Sequence, residues 1–84
     1  MNQTSTLHLT ILRRDGILFE GEVEAVSSKN EIGPFDILAE HGNFVSTVNQ
    51  YVRIHKAGGA VEEIPIDRGI LRVKENRLDI FVGF

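Results

Sequence analysis

The 84-residue sequence contains no cysteine, no tryptophan and only two prolines. The absence of cysteine excludes a disulfide framework and thiolate chemistry. No apolar run approaches the roughly 20 residues that a helix needs to cross a bilayer. The polar start, residues 1–6, also lacks the basic and apolar regions of a secretory signal. We therefore expect no direct insertion into a membrane.

Positive charge is also scarce. Nine lysine and arginine residues are outweighed by twelve aspartate and glutamate residues, which gives a formal net charge of -3. A protein that binds nucleic acid without regard to sequence needs a basic surface. The doublet Arg13-Arg14 is the only basic cluster. The composition therefore argues against a nucleic-acid partner.

The length limits what the fold can contain. A chain of 84 residues forms one small core and leaves little room for a deep catalytic cleft. Residues 1–84 are therefore interpreted as a single domain, and an enzyme of this size is not expected.

Short apolar alternations closed by turn residues fill most of the chain. Leu7, Leu9 and Ile11 alternate with polar neighbours, which is the period of a strand with one buried face. Asp15-Gly16 and Gly58-Gly59 have the composition of hairpin turns. Apolar residues never recur at helical spacing over a dozen positions. The pattern predicts an all-β fold, a two-sheet antiparallel β-sandwich or flattened barrel of about 8–10 short strands.

Three positions within this pattern carry more specific expectations. Gly21 interrupts a strand pattern and predicts a β-bulge. Pro65 lacks an N–H and is expected at a sheet edge or facing outward. Asp67-Arg68-Gly69 is expected to form a turn between two strands.

The segment from Glu31 to Val48 departs from the strand-and-turn pattern. Turn-forming residues surround only four strand-like residues, 35–38, which is typical of a loop presented at the surface. Its pattern, Glu-x-Gly-x-Phe-x-Ile-Leu-x-x-His followed by an apolar pair, resembles the central signature of the epsilon subunit of F-type ATP synthases, in its N-terminal β domain. The stretches 7–23, 52–54 and 69–80 resemble strands of the same family. The resemblance thus covers residues 7 to 82, in order.

This resemblance implies a non-catalytic central-stalk subunit, which couples ion-driven rotation of the c-ring to the gamma stalk and the catalytic head. It implies the gamma subunit and the c-ring as partners, and a peripheral position at the cytoplasmic face of the cell membrane. Family members usually continue into a C-terminal helical hairpin, so residues 1–84 correspond to the N-terminal β-sandwich domain alone. No cofactor is expected. Exposed strand edges make a homo-oligomer of the isolated chain a further expectation.

On the family's motif, His41 occupies the position of a contact with the rotor. The resemblance implies that its loop meets the polar loops of the c-ring, with Glu40, Leu38 and Phe44 as neighbouring contacts and Gly33 shaping the loop. From the residues alone, a loop histidine favours hydrogen bonding to local backbone. Leu38 and Phe44 are the apolar residues expected to be exposed at or near the loop, and burial suits Phe44 nearly as well.

The loop departs from the residues that family members commonly carry. Asp36 stands in place of glycine, Ala39-Glu40 in place of Pro-Gly, and Asn43 in place of proline. Because proline fixes φ, its loss predicts a less rigid loop.

Patterns for catalysis, metal binding and phosphate binding are missing from the sequence. The three histidines show no metal-ligand spacing, and there is no phosphate-binding loop or nucleophile elbow. His8 and His55 occupy outward strand positions and are predicted to be solvated, as are acidic residues such as Glu20 and Glu22. We therefore expect no catalytic residues.

The alternative to a synthase subunit is a free-standing small β-barrel binding module, for oligosaccharide or single-stranded nucleic acid. Such modules stack ligands on exposed aromatic side chains, in a basic groove where the ligand is nucleic acid. The chain has one tyrosine and five phenylalanines, most at positions compatible with the core. These positions and the acidic net charge favour the synthase subunit over the binding module.

Overall fold

The computed structural model describes residues 5–83, and most of them lie in β-strands. Seven strands follow one another: β1 (Leu7–Arg13), β2 (Gly16–Val23), β3 (Ala25–Lys29), β4 (Pro34–Leu38), β5 (Phe44–His55), β6 (Val61–Lys74) and β7 (Arg77–Val82). A short 3-10 turn, Ala57–Gly59, joins β5 to β6. Residues 5–83 contain no α-helix. The all-β prediction is confirmed.

The strands form one hydrogen-bonded sheet in the order β2-β1-β7-β6-β5-β3-β4. Neighbouring strands are antiparallel, except that β1 and β7 run parallel, with Leu9 opposite Leu78 and Ile11 opposite Ile80. The expectation of a purely antiparallel arrangement was wrong at this pair. No hairpin connects the first strand to the last, so local sequence pattern carries no information on their direction.

The long hairpin of β5 and β6 bends near its middle. Between Asn49 and Gln50 the register slips by one residue, which leaves Asp67 without a partner opposite it. A bulge of this kind bends a strand pair and increases its twist. On one side of the bend, residues 69–74 of β6 pair with β7; on the other, residues 53–55 of β5 pair with β3. The hairpin is therefore shared by the two halves of the sheet.

Because β6 is one long strand, the chain has seven strands instead of the predicted about 8–10. The expected turn at residues 67–69 lies inside β6, which passes through it without a break. The predicted bulge at Gly21 is also misplaced. Gly21 pairs with Leu9, and the irregularity in β2 lies at Leu18, between the partners of Ile11 and Leu12.

Pro65 lies where the sequence predicts. It belongs to the part of β6 that pairs with β5 at Tyr51 but has no partner on its other side. A proline cannot donate to a ladder, so this free edge accommodates it.

All seven strands contribute buried apolar side chains to a single core. Its members are Leu7, Leu9, Ile11, Val23, Val26, Ile37, Val48, Val52, Ile54, Leu71, Val73, Leu78, Ile80 and Val82. Strands from both ends of the sheet therefore share one core.

Candidate partner-contact site

The presented loop is shorter than the sequence suggests. β4 ends at Leu38 and β5 begins at Phe44, so the loop consists of residues 39–43, which we call the His41 loop. The chain reverses in a turn closed by the His41 N–H, which donates to the Leu38 carbonyl at 3.2 Å. Glu40 has a φ of 65°, the left-handed conformation that the third position of a type II turn requires.

The ring of His41 is exposed and is oriented by its neighbours. Its Nδ1 lies 2.8 Å from the Gly42 carbonyl oxygen. Since a carbonyl only accepts, Nδ1 donates, and Nε2 is the acceptor of the neutral ring. The ring also meets Phe44 edge-on, with 5.5 Å between centroids. The local backbone bond that the residues alone suggested is therefore present in a side chain that remains open to solvent.

Phe44 attaches the loop to the body of the domain. Its ring packs edge-on against Phe35, 5.8 Å between centroids, and both rings pack against the core. On either side of the loop, Leu38 is 59% exposed and Val45 is 67% exposed. The expectation of an exposed Leu38 is confirmed. Val45 faces outward as well, because alternation along β5 turns it away from the core once Phe44 points inward.

Gly33 lies at the other end of β4 from the His41 loop. It belongs to a turn in which the Asn30 side-chain oxygen accepts the N–H groups of Ile32 and Gly33 at 2.9 and 3.2 Å. Five strand residues separate this turn from the loop, roughly 13–17 Å at the usual rise. Ile32, in the same turn, is 97% exposed. Sequence reasoning missed this side chain, although its position beside Gly33 was a signal for exposure.

Asn76 holds the His41 loop from outside, and sequence reasoning missed it too. Its Oδ1 accepts the Glu40 N–H at 2.7 Å, and its Nδ2 donates to the Thr6 carbonyl oxygen at 2.5 Å. Its own carbonyl oxygen accepts the His8 N–H at 3.0 Å. These bonds link stretches 36 and 70 residues apart in sequence, which no local pattern reveals.

His8 carries the clearest electrostatic perturbation. Its Nδ1 and Nε2 lie 2.8 and 3.2 Å from the carboxylates of Glu22 and Glu20. The hydrogen bonds with Glu22 and then Glu20 raise the pKa of His8, and the bonds from His8 and Thr6 lower the pKa of Glu22. The sequence predicted a solvated histidine and solvated acids, but antiparallel pairing of β1 with β2 brings them together.

A serine, an aspartate and a histidine also meet, on β3, β4 and β5. The Ser27 hydroxyl donates to Asp36 and lies 2.9 Å from His55 Nε2. Because the single hydroxyl hydrogen goes to Asp36, the Nε2–H of His55 donates to Ser27. A nucleophilic serine needs the opposite polarity, with histidine as the base. The cluster therefore ties three strands together and lacks the arrangement of a triad.

Within residues 5–83, no group of three or more histidine, aspartate or glutamate side chains is placed to hold a metal ion. No helix in that range is long and apolar enough to cross a membrane.

Residues 6–83 match the family described as ATP synthase, Delta/Epsilon chain, beta-sandwich domain. The chain belongs to this family. The family suggested by the sequence and the β-sandwich class are thereby confirmed. In this epsilon-type domain the sandwich is built from one continuous sheet, whose halves are joined through β5 and β6.

Curated relatives of the epsilon-type domain are longer than this chain. It is 32% identical over 79 residues to the ATP synthase epsilon chain of Sulfurimonas denitrificans, covering 93% of this chain and 61% of the relative. It is 34% identical over 77 residues to that of Clostridium botulinum, covering 90% and 58% respectively. The chain therefore spans about three-fifths of the length of these relatives.

Solved structures share the fold of the epsilon-type domain. A chain of the Euglena gracilis mitochondrial ATP synthase superposes with a TM-score of 0.87 at 22% identity, covering 98% of this chain and 53% of that one. A chain of the Tetrahymena thermophila central stalk and c-ring structure gives 0.78 at 10% identity, covering 99% and 67%. At these identities the likeness concerns the fold alone.

Proposed function

We propose that this chain is the β-sandwich domain of an ATP synthase epsilon subunit, a non-catalytic part of the central stalk. It couples ion-driven rotation of the c-ring to the gamma subunit and the catalytic head. Membership of the family supports the assignment to the synthase. The observation that carries the coupling role is the exposed His41 loop, attached to the core through Phe44.

The His41 loop supplies the contact with the c-ring. His41 offers a ring nitrogen, Glu40 a carboxylate, and Leu38 an exposed apolar side chain beside them, which suits a partner whose loops are polar at the rim. The packed rings of Phe44 and Phe35 transmit force between the His41 loop and the core, because densely packed side chains have low compressibility. Gly33 contributes through the turn at the far end of β4 and not through the loop itself.

The gamma subunit docks on a second surface, an apolar row on the outer face of the sheet. Ile70, Phe81, Leu12 and Ile17 lie opposite one another on four neighbouring strands. Of these, Ile17 is 57%, Ile70 40% and Phe81 39% exposed. Contiguous exposed apolar side chains are typical of partner surfaces.

The partners place the domain at the cytoplasmic face of the cell membrane, as a peripheral subunit without catalytic residues. The rival hypothesis of a free-standing binding module has less support. Among the exposed large apolar residues of the described chain, Phe81 is the one aromatic side chain. A single half-exposed ring does not make a stacking platform, which needs successive rings along a groove.

The test separates the two surfaces. Capture by immobilised gamma subunit is measured for the parent chain, for Ile17→Thr with Ile70→Thr, and for His41→Ala. We expect the double variant to lose capture and His41→Ala to retain it. In reconstituted synthase, His41→Ala should weaken the coupling of ATP hydrolysis to ion pumping, whereas His8→Ala, outside the loop, should not.

Failure of the parent chain to bind gamma, under conditions where a full-length relative binds, contradicts the proposed function. Normal coupling in the His41→Ala enzyme contradicts the role of the loop alone.

A further inference from the structure

The turn of the His41 loop is built from residues that do not favour it. Ala39 and Glu40 are its second and third positions, between the Leu38 carbonyl and the His41 N–H. Glu40 adopts a φ of 65°, a conformation that glycine takes freely and that other residues adopt at a cost. Ala39 lacks the fixed φ that proline brings to the second position. The turn therefore needs support from elsewhere in the fold.

Asn76 supplies a contact suited to this need. Its Oδ1 accepts the N–H of Glu40, the left-handed residue itself, at 2.7 Å. A backbone in a sparsely populated conformation persists when the surrounding structure over-determines it. The bond from Asn76 fixes the peptide that enters Glu40 and so restrains its φ.

The position of Asn76 is itself well defined. With φ values of 51° and 65°, Glu75 and Asn76 form the two-residue turn between β6 and β7. Turns with both central residues left-handed match the twist of the flanking strands, and asparagine tolerates this conformation. The second side-chain bond, to the Thr6 carbonyl oxygen, fixes the rotation of the amide. The support for the loop thus comes from the hairpin of β6 and β7 and from the residue that precedes β1.

We propose that Asn76 is a positioning residue for the His41 loop: its side-chain amide holds Glu40 in the left-handed turn and so sets the orientation of His41. The effect on partner contact rests on the function proposed above; the effect on the loop does not. The amide replaces, from outside the loop, the restraint that proline and glycine would build into the turn.

Two substitutions separate this role from support of the hairpin. Asn76→Gly keeps the left-handed turn, because glycine adopts it without strain, but removes both side-chain bonds. Asn76→Asp keeps an oxygen that can accept the Glu40 N–H and loses the donor to Thr6. Only Asn76→Gly should release the loop.

Amide hydrogen exchange of the His41 N–H reports on the turn, since its acceptor is Leu38 and not Asn76. We expect Asn76→Gly to accelerate this exchange roughly three- to tenfold, the effect of losing one typical hydrogen bond. Exchange in β6 and β7 should stay unchanged, and Asn76→Asp should behave as the parent. Unchanged His41 exchange in Asn76→Gly overturns the proposal. Equal acceleration of His41 exchange in Asn76→Gly and Asn76→Asp overturns the proposal as well. If Asn76→Gly loosens the whole fold, the exchange of His41 in Asn76→Asp relative to the parent still tests the proposal.

A second experiment changes the left-handed residue of the turn itself. In a Glu40→Gly background the turn forms without help, so Asn76→Gly should change His41 exchange less than it does in the parent. An equal change in both backgrounds overturns the role of Asn76 in restraining Glu40. If the loop loosens but coupling in reconstituted synthase stays normal, the positioning role stands and the proposed function of the loop fails.

Discussion

The core around Ile54 and the His41 loop are held in place by different means. Ile54 is fully buried and belongs to a core to which all seven strands contribute apolar side chains. The loop depends on single contacts, namely the Asn76 bond to Glu40 and the edge-on packing of Phe44. The core is stabilised by many weak apolar contacts, whereas the His41 loop is held by a few directional contacts. Substitutions should therefore affect folding in the first region and contact geometry in the second.

The largest effect is expected from Ile54→Ala. Removing a fully buried isoleucine side chain leaves a cavity and should lower the free energy of unfolding by roughly 2–5 kcal/mol. Chemical denaturation followed by circular dichroism measures this loss. A change below 1 kcal/mol, on the order of a surface substitution, would show that the site collapses to fill the cavity.

Gly69→Ala should come next. The added Cβ would collide with the backbone oxygen of Phe81 and approach Val82 Cγ1 to 3.1 Å, forcing β6 away from β7. Overpacking of this kind costs about 1–3 kcal/mol. The matched control is Gly42→Ala in the His41 loop, where a Cβ meets nothing within 4 Å. Equal melting temperatures for the two variants would contradict the close approach of the strands.

The cluster of His8 with Glu20 and Glu22 should have an intermediate effect on stability, because it consists of specific contacts between surface side chains. Glu22 and Glu20 raise the pKa of His8 above its ordinary 6.5. The stability that the folded state gains from this shift is complete below pH 6.5 and is lost as the pH rises through the raised pKa of His8. His8 lowers the pKa of Glu22 below its ordinary 4.5, and this contribution is present above pH 4.5 and lost as the pH falls through the lowered value.

Both contributions coexist between about pH 4.5 and 6.5. We expect the melting temperature to decline on the alkaline side of this window, and His8→Gln to flatten that decline. Calorimetry across pH 4 to 9 provides the measurement. Superimposable profiles for the parent and the variant would show that the cluster does not contribute to stability.

The smallest change in stability is expected from His41→Ala. The side chain is exposed, and surface substitutions usually shift stability by no more than about 0.5 kcal/mol. Thermal unfolding of the variant checks this expectation. A large loss would mean that the ring's contact with Phe44 stabilises the domain and that His41 belongs with Ile54 in the comparison.

The sequence was sufficient to predict the features that depend on near neighbours. The hairpin turn near Asp15 was predicted to within one residue, since Arg14-Asp15 form it and Gly16 already begins β2. The period-two pattern of β1 and the free edge at Pro65 follow from local chemistry. The parallel pairing of β1 with β7 does not, because it joins residues about 70 positions apart. Bulge positions were also missed, since a bulge is defined by two strands together and alternation describes only one.

The candidate site shows the same division. The sequence predicted the loop and the exposure of Leu38, which follow from turn residues and alternation. It did not predict the partners of His8 and His55, or the bond from Asn76 to Glu40, because each depends on register between strands. The residues that orient the loop are thus harder to find than the residues that form it.

The parallel pairing of β1 with β7 also constrains the order in which the domain folds. In the sheet, the β1–β2 hairpin joins the remaining strands through β7 alone. Since β7 follows the other six strands in the chain, the first hairpin is synthesised early and cannot pair with the rest of the sheet until β7 has been made. Full burial of the apolar side chains of β1 therefore depends on contacts with residues far away in the sequence, and such contacts are slow to form. We expect cooperative folding that is completed only after β7 has been synthesised, with the earliest strand among the last to be incorporated into the sheet.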